Sequence, residues 1–239
     1  RAAAILLARA GARIMAVDRD EELAAETARL IEAEGGEALA HAADVTEEAE
    51  CEAMVALAIK TFGRVDVLDN NVGIGSSGSV VDEVIENWER VMKVNVQTMF
   101  LTTKYAVPAM IDSGDGGAIV NVSSISALRP RGLTAYSASK GAVISLTRAM
   151  AMDHAADGIR ANCIAPGPVY TPMVYSRGMS DKAREQRRSA SPLGIEGTGW
   201  DIGNAVVFLS SARAGYITGQ TLVVDGGVTV AAPARDPNA

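Results

Sequence analysis

Cysteine is nearly missing from this 239-residue chain: only Cys51 and Cys163 occur, far apart and outside any C-x-x-C pair. Histidine is as scarce, with only His41 and His154. So few soft ligands make a zinc site improbable, and no metal centre is expected. Two distant cysteines build no disulfide framework, which fits a reducing cytoplasm. An excess of basic residues is lacking too: 22 Lys and Arg stand against 29 Asp and Glu, a net charge of -7. Nucleic acid is thereby disfavoured as a partner, because phosphate binding needs clustered cations. The one small basic cluster, Arg184, Arg187 and Arg188, reads as a solvated helix face. No apolar run reaches the roughly 18 residues of a membrane span. The opening Arg1-Ala2-Ala3-Ala4-Ile5-Leu6-Leu7 is too short for a signal peptide and runs into Arg9. It has no initiator Met, so the chain is expected to start inside a longer reading frame or to have been trimmed. There is no internal repeat, no low-complexity linker and no break in composition. One domain is expected over 1–228, followed by a loose tail at 229–239.

What is present is an ordinary soluble composition, 48% hydrophobic and 21% charged. A chain of this length can bury a substantial core. Ala- and Leu-rich residues 2–10 predict a helix stopped by Gly11, and 12–17 predict a buried strand ending at Asp18. Leu23, Leu30 and Ile31 give residues 21–34 one apolar helical face. A strand near 38–43 closes at Asp44-Val45, and Thr46 is the expected N-cap of the next helix. Further strands are predicted at 65–68, 118–122, 160–165 and 221–224, with helices near 88–110, 134–155, 180–190 and 200–212. Such alternation means βαβ units and a parallel sheet. Ligands of such sheets lie at the carboxyl ends of the strands, and the chemically suggestive residues fall there.

Tyr136 and Lys140 stand four apart on a predicted helix, so they share a face. A phenol near pKa 10 is a poor base at neutral pH, and a nearby ammonium is expected to pull it down. Ser123 and Ser124 follow a strand end, where a hydroxyl can polarise a carbonyl oxygen or simply cap a turn. Asn95 is a polar residue inside an apolar helical stretch; it points to a task, or to the satisfaction of a buried backbone group. Asp18 can accept both hydroxyls of an adenosine ribose and repel a 2′-phosphate, although Arg19 beside it could accommodate one.

In combination these blocks resemble the short-chain dehydrogenases/reductases along essentially the whole chain. The matching runs are Asn70-Asn71-Val72-Gly73, Asn95, Asn121 to Ser124, Tyr136 with Lys140, Arg160 to Gly167, Ile217 to Gln220 and Val224 to Gly227. The resemblance implies a Rossmann-like, doubly wound parallel sheet in a single three-layer α/β/α domain. It implies an oxidoreductase using NAD, with NADP less favoured, on a small-molecule alcohol or ketone. Tyr136 would be the general acid/base, Lys140 would lower its pKa and hold the nicotinamide ribose, Ser124 would orient the substrate oxygen, and Asn95 would complete a proton relay to Lys140. Asp18, Asp44 and Val45 would hold the adenosine, and Asn71 and Gly73 would lie along the cofactor. Pro166, Gly167, Val169 and Thr171 would hold the carboxamide end. A homotetramer assembled through the two long helices and the last strand is also implied.

The chain departs from the family pattern in places. The opening strand and glycine-rich phosphate loop are not present, so the strands ending at Asp18 and Asn70 are expected to lack the partner between them. That departure keeps open a non-catalytic protein of the same fold. An epimerase or dehydratase is less favoured, because the chain ends soon after Gly227. Asp69 occupies a usually apolar strand position, Val72 replaces the usual Ala, and the spacing from Ser124 to Tyr136 is one residue short, leaving Ser123 or Ser124 as the serine. Residues 170–199, with Met173, Val174, Tyr175 and Met179, are expected to form the substrate lid.

Overall fold

The computed structural model describes residues 1–176 and 178–232; of the expected tail, 233–239 lie outside the described residues. Its elements run α1 (Ala2–Arg9), β1 (Ile14–Asp18), α2 (Glu21–Glu32), β2 (Ala38–Ala42), α3 (Glu48–Phe62), β3 (Val67–Asn70), α4 (Ile85–Met92) and α5 (Thr98–Ser113). Then follow β4 (Gly117–Val122), α6 (Thr134–Asp153), β5 (Ile159–Pro166), β6 (Val169–Tyr170), α7 (Pro172–Tyr175), α8 (Asp181–Ser189), β7 (Gly197–Thr198), α9 (Gly199–Ser210) and β8 (Thr221–Val224). The fold is Rossmann-like α/β, with parallel strands between helices, as the alternation of the sequence implies.

Local signals account for most boundaries. Asp20 caps α2 by accepting from the Glu22 and Leu23 N–H groups, and Gly63 in the left-handed region ends α3. Thr46 does not cap α3: its N–H is drawn to the Asp44 carboxylate at 2.9 Å, and the helix starts two residues later at Glu48. The strand expected at 65–68 sits at Val67–Asn70, and the helix expected from 88 begins at Ile85. That helix is split into α4 and α5 by a π-turn over Lys93–Gln97.

The main sheet has the order β3-β4-β5-β8, while β1 and β2 form a separate parallel pair. Among the described residues no strand pairs with β1 or β3 on the sides away from β2 and β4, as the absent opening strand leads one to expect. Packing joins the two pieces instead. On one face Met15 and Val17 of β1 pack into the cluster containing Leu68, Val107, Met110 and Ile119. On the other, α1 meets Ile14 and Ala16 on one side, and its Leu7 packs with Val120, Ile164 and Val206 on the other. These contacts are apolar burial, worth about 25 cal/mol per Å². On β3 one carboxylate oxygen of Asp69 is buried without a hydrogen-bond partner, and burial raises its pKa to about 6. No described helix is long and apolar enough to cross a membrane.

Candidate active site

β4 and α6 place the central group. β4 delivers Ser123 and Ser124 at its carboxyl end, and α6 carries Tyr136 and Lys140 one turn apart. The Lys140 ammonium lies 5.8 Å from the centre of the Tyr136 ring. The Ser124 hydroxyl accepts the Ser126 N–H at 3.1 Å, and its proximity to the Tyr136 hydroxyl favours the phenolate. Ser123 turns the other way and donates to the Lys140 carbonyl at 2.7 Å, clamping strand to helix. Of the two serines the sequence left open, Ser124 is the one that faces the phenol.

The electrostatics differ from expectation. Burial holds the Tyr136 phenol above its ordinary value, opposed only by Ser124, and no lowering by Lys140 is seen. The reason is that Lys140 is itself buried, donates to the Val122 carbonyl at 2.8 Å, and is brought down by desolvation to about 8. A phenol raised in this way is protonated at neutral pH and is set up to donate.

Asn95 is fully buried inside the π-turn. Its Oδ1 accepts from the Ile74 N–H at 2.7 Å, and its Nδ2 donates to the Ile74 carbonyl and to Ser139 Oγ, both at 2.9 Å. No direct hydrogen bond joins it to Lys140. The two side chains meet instead over Gly73, where an added Cβ would stand 3.1 Å from Lys140 Nζ and 3.3 Å from Asn95 Oδ1. Only glycine keeps that space open. Beneath it lies a satisfied polar network. Asn70 donates to Asn121 at 2.9 Å, Thr102 donates to Asn70 at 2.7 Å, and Asn121 donates to Thr147 at 2.9 Å. It ties β3, β4, α5 and α6 together.

The remaining expected residues line the carboxyl strand ends. Asp18 closes β1, Asp44 and Val45 follow β2, Asn71 and Gly73 follow β3, and Pro166 closes β5. Gly167 approaches Asp225 so closely that a Cβ would fall 2.5 Å from the Asp225 Cβ. Val169 lies in β6, and Thr171 precedes α7. Beyond Asp18 an open cleft of about 620 Å³ is lined by Arg19, Asp20, Ala42, Ala43, Asp44 and Glu50. Asp18 accepts the Asp20 N–H at 3.0 Å, and the Thr46 N–H holds the Asp44 carboxyl below the usual range. Three acids against one arginine make the cleft acidic. Residues 170–199, the expected lid, include α7 and α8; Arg187 and Arg184 pair with Glu196, and Arg184 covers the Tyr170 ring at 4.1 Å. Sequence reading missed Ser139 and Ser76, whose contacts bridge distant segments, and it took the Asn70–Asn121 pair for two separate motifs. Among the described residues no cluster of three His, Cys, Asp or Glu is placed to hold a metal.

Residues 1–229 match the family described as Enoyl-(Acyl carrier protein) reductase, adh_short_C2. The chain is 37% identical over 227 residues to 2-(S)-hydroxypropyl-CoM dehydrogenase 3 of Xanthobacter autotrophicus, covering 92% of this chain and 88% of that protein. It is 41% identical over 226 residues to the inactive 2-(S)-hydroxypropyl-CoM dehydrogenase 2 of the same organism, covering 92% and 96%. A solved short-chain dehydrogenase/reductase from Burkholderia xenovorans superposes with a TM-score of 0.90 at 38% identity, covering 97% of this chain and 90% of the other. A gluconate 5-dehydrogenase from Burkholderia cenocepacia, solved with NADP and tartrate, superposes with a TM-score of 0.89 at 34% identity, covering 97% and 91%. The chain belongs to the short-chain dehydrogenase/reductase family of oxidoreductases.

Proposed function

We propose that this chain moves a hydride between NAD(H) and a secondary alcohol or ketone, with Tyr136 as general acid/base. The observation that carries the reading is the convergence of Tyr136, Ser124 and Lys140 from α6 and the end of β4. In the reducing direction the protonated phenol donates to the carbonyl oxygen, and Ser124 hydrogen-bonds that oxygen as charge builds on it. In the oxidising direction the phenolate removes the hydroxyl proton. Lys140 holds the ribose and supplies positive charge below about 8. Asn95 fixes the Ile74 loop through its two bonds there. The dinucleotide itself supplies the hydride acceptor or donor. The residues present fit it at both ends: Asp18, Asp44 and Val45 toward the adenosine, Asn71, Gly73, Pro166, Gly167, Val169 and Thr171 toward the nicotinamide. NAD is favoured over NADP because Asp20, Asp44 and Glu50 line the adenosine cleft against Arg19 alone. The gluconate 5-dehydrogenase neighbour was solved with NADP, so the choice is a property to measure.

Alcohol-dependent formation of NADH tests the reading, with 2-butanol, cyclohexanol and a hydroxysteroid as alcohols. Tyr136→Phe is expected to lower the rate about 10²- to 10⁴-fold with the circular dichroism unchanged. A Phe variant at full rate overturns the mechanism. Because the phenol is raised, oxidation should climb toward alkaline pH while ketone reduction holds at neutral pH. Exposed Phe100 and Ile111 on α5, Met152 on α6 and Leu222 on β8 support a homotetramer built on the two long helices and the last strand. Cys51 and Cys163, both buried and free, support a cytoplasmic setting. A second reading, a non-catalytic member of the fold, is favoured by the similarity to a relative named inactive. Any alcohol-dependent hydride transfer contradicts it.

A further inference from the structure

The helix that carries the proton-transfer pair is not capped by its own chain start. Its N-cap residue is Leu133, which has no side-chain acceptor, so the first-turn N–H groups of α6 must find partners elsewhere. Two of them turn to a segment some sixty residues earlier. The Tyr136 N–H donates to Ser76 Oγ at 2.9 Å, and the Thr134 N–H donates to the Gly78 carbonyl at 3.1 Å. Gly78 in turn donates to the Gly132 carbonyl at 3.1 Å, which closes a small parallel bridge to Leu133. Two residues before Ser76, Ile74 is gripped at both its N–H and its carbonyl by Asn95. One line of contacts therefore runs from the π-turn through Ile74 and Ser76 to the backbone of Tyr136.

We propose that Ser76 is a positioning residue: its hydroxyl caps α6 in place of a local N-cap and thereby sets where the Tyr136 phenol sits relative to Ser124. The inference rests on the reading of Tyr136 as the acid/base. It assigns Asn95 a mechanical role as well, since Asn95 anchors the loop that presents Ser76. A cap of this kind is the usual device for orphan N–H groups, here delivered across the chain. Reaction rates respond steeply to small displacements of a reacting group, so the loss should appear in turnover before it appears in binding.

The test compares the wild-type chain with Ser76→Ala, Ser76→Thr and Tyr136→Phe, using NAD with cyclohexanol and, independently, the phenolate absorbance of the free protein. Subtracting the Tyr136→Phe titration isolates the Tyr136 phenol from the other four tyrosines. In Ser76→Ala, kcat should fall roughly fivefold to tenfold while KM for NAD stays within about twofold. The Tyr136 titration should also move down toward the ordinary tyrosine value, because a frayed first turn admits water. Ser76→Thr keeps an acceptor and should restore both. A Ser76→Ala chain that loses only thermal stability, with the Tyr136 titration unmoved, overturns the proposal. If Tyr136→Phe turns over at full rate, the acid/base reading fails and the positioning role falls with it. If Tyr136→Phe is inactive and Ser76→Ala matches wild type in both readouts, only the inference here is lost.

Discussion

The two halves of the sheet are built on different principles. In the half formed by β3, β4, β5 and β8, each strand is paired to its neighbour, and buried Asn70, Asn121, Thr102 and Thr147 satisfy one another. The half formed by β1 and β2 is joined to it by helices and apolar contacts alone. The first half holds Ser124, Tyr136 and Lys140, and the second holds Asp18 and the acidic cleft. The two halves thus differ in what supports them: strand pairing and mutually satisfied polar groups in one, helix packing and apolar contacts in the other.

The comparison can be broken at several points. The largest effect is expected in the paired half. Asn121→Leu strands Asn70 and Thr147 without their partner, and should cost about 2–4 kcal/mol in urea unfolding. A loss under about 0.5 kcal/mol would show that the network is not what holds that half.

Next comes the border between the halves. Asp69 has a folded pKa of about 6, above its unfolded value, so it binds protons on folding. Its neutral form is the stable one: stability is highest below about pH 4 and falls as pH rises through about 6. Asp69→Asn should abolish that slope and add about 1–3 kcal/mol at neutral pH. An unchanged pH profile would place the carboxylate in contact with solvent.

The smallest effect belongs to the loosely joined half. Asp18→Ala should raise NADPH affinity relative to NADH about tenfold, read by titration of each. A ratio that does not move would assign selection to Asp44 or Glu50.

Much of this was legible in the sequence. Alternating helix and strand signals gave the parallel α/β architecture, because the side-chain periods of 3.6 and 2 survive any tertiary context. Tyr136 and Lys140 were legible because helical spacing places them on one face. Asn95 stood out as a polar residue in an apolar stretch, and the structure shows the π-turn it occupies. The pairing of β6 with β7 was invisible, since two residues per strand carry no periodicity. Thr46 was misread because the Asp44 side chain competes for its N–H. The direction of the Tyr136 shift could not be read, because it depends on depth and on where Lys140 spends its own hydrogen bond. Ser76 was missed because a cap supplied across the chain leaves no local pattern.

The central claim is that both halves form one cofactor site. Titration of the purified chain with NADH and with NADPH, followed by nicotinamide fluorescence, tests it most directly. The account predicts saturable NADH binding, weaker NADPH binding, and a preference for NADH reduced about tenfold in Asp18→Ala. A folded chain that binds neither nucleotide would contradict it, and would leave the paired half without the cofactor its chemistry requires.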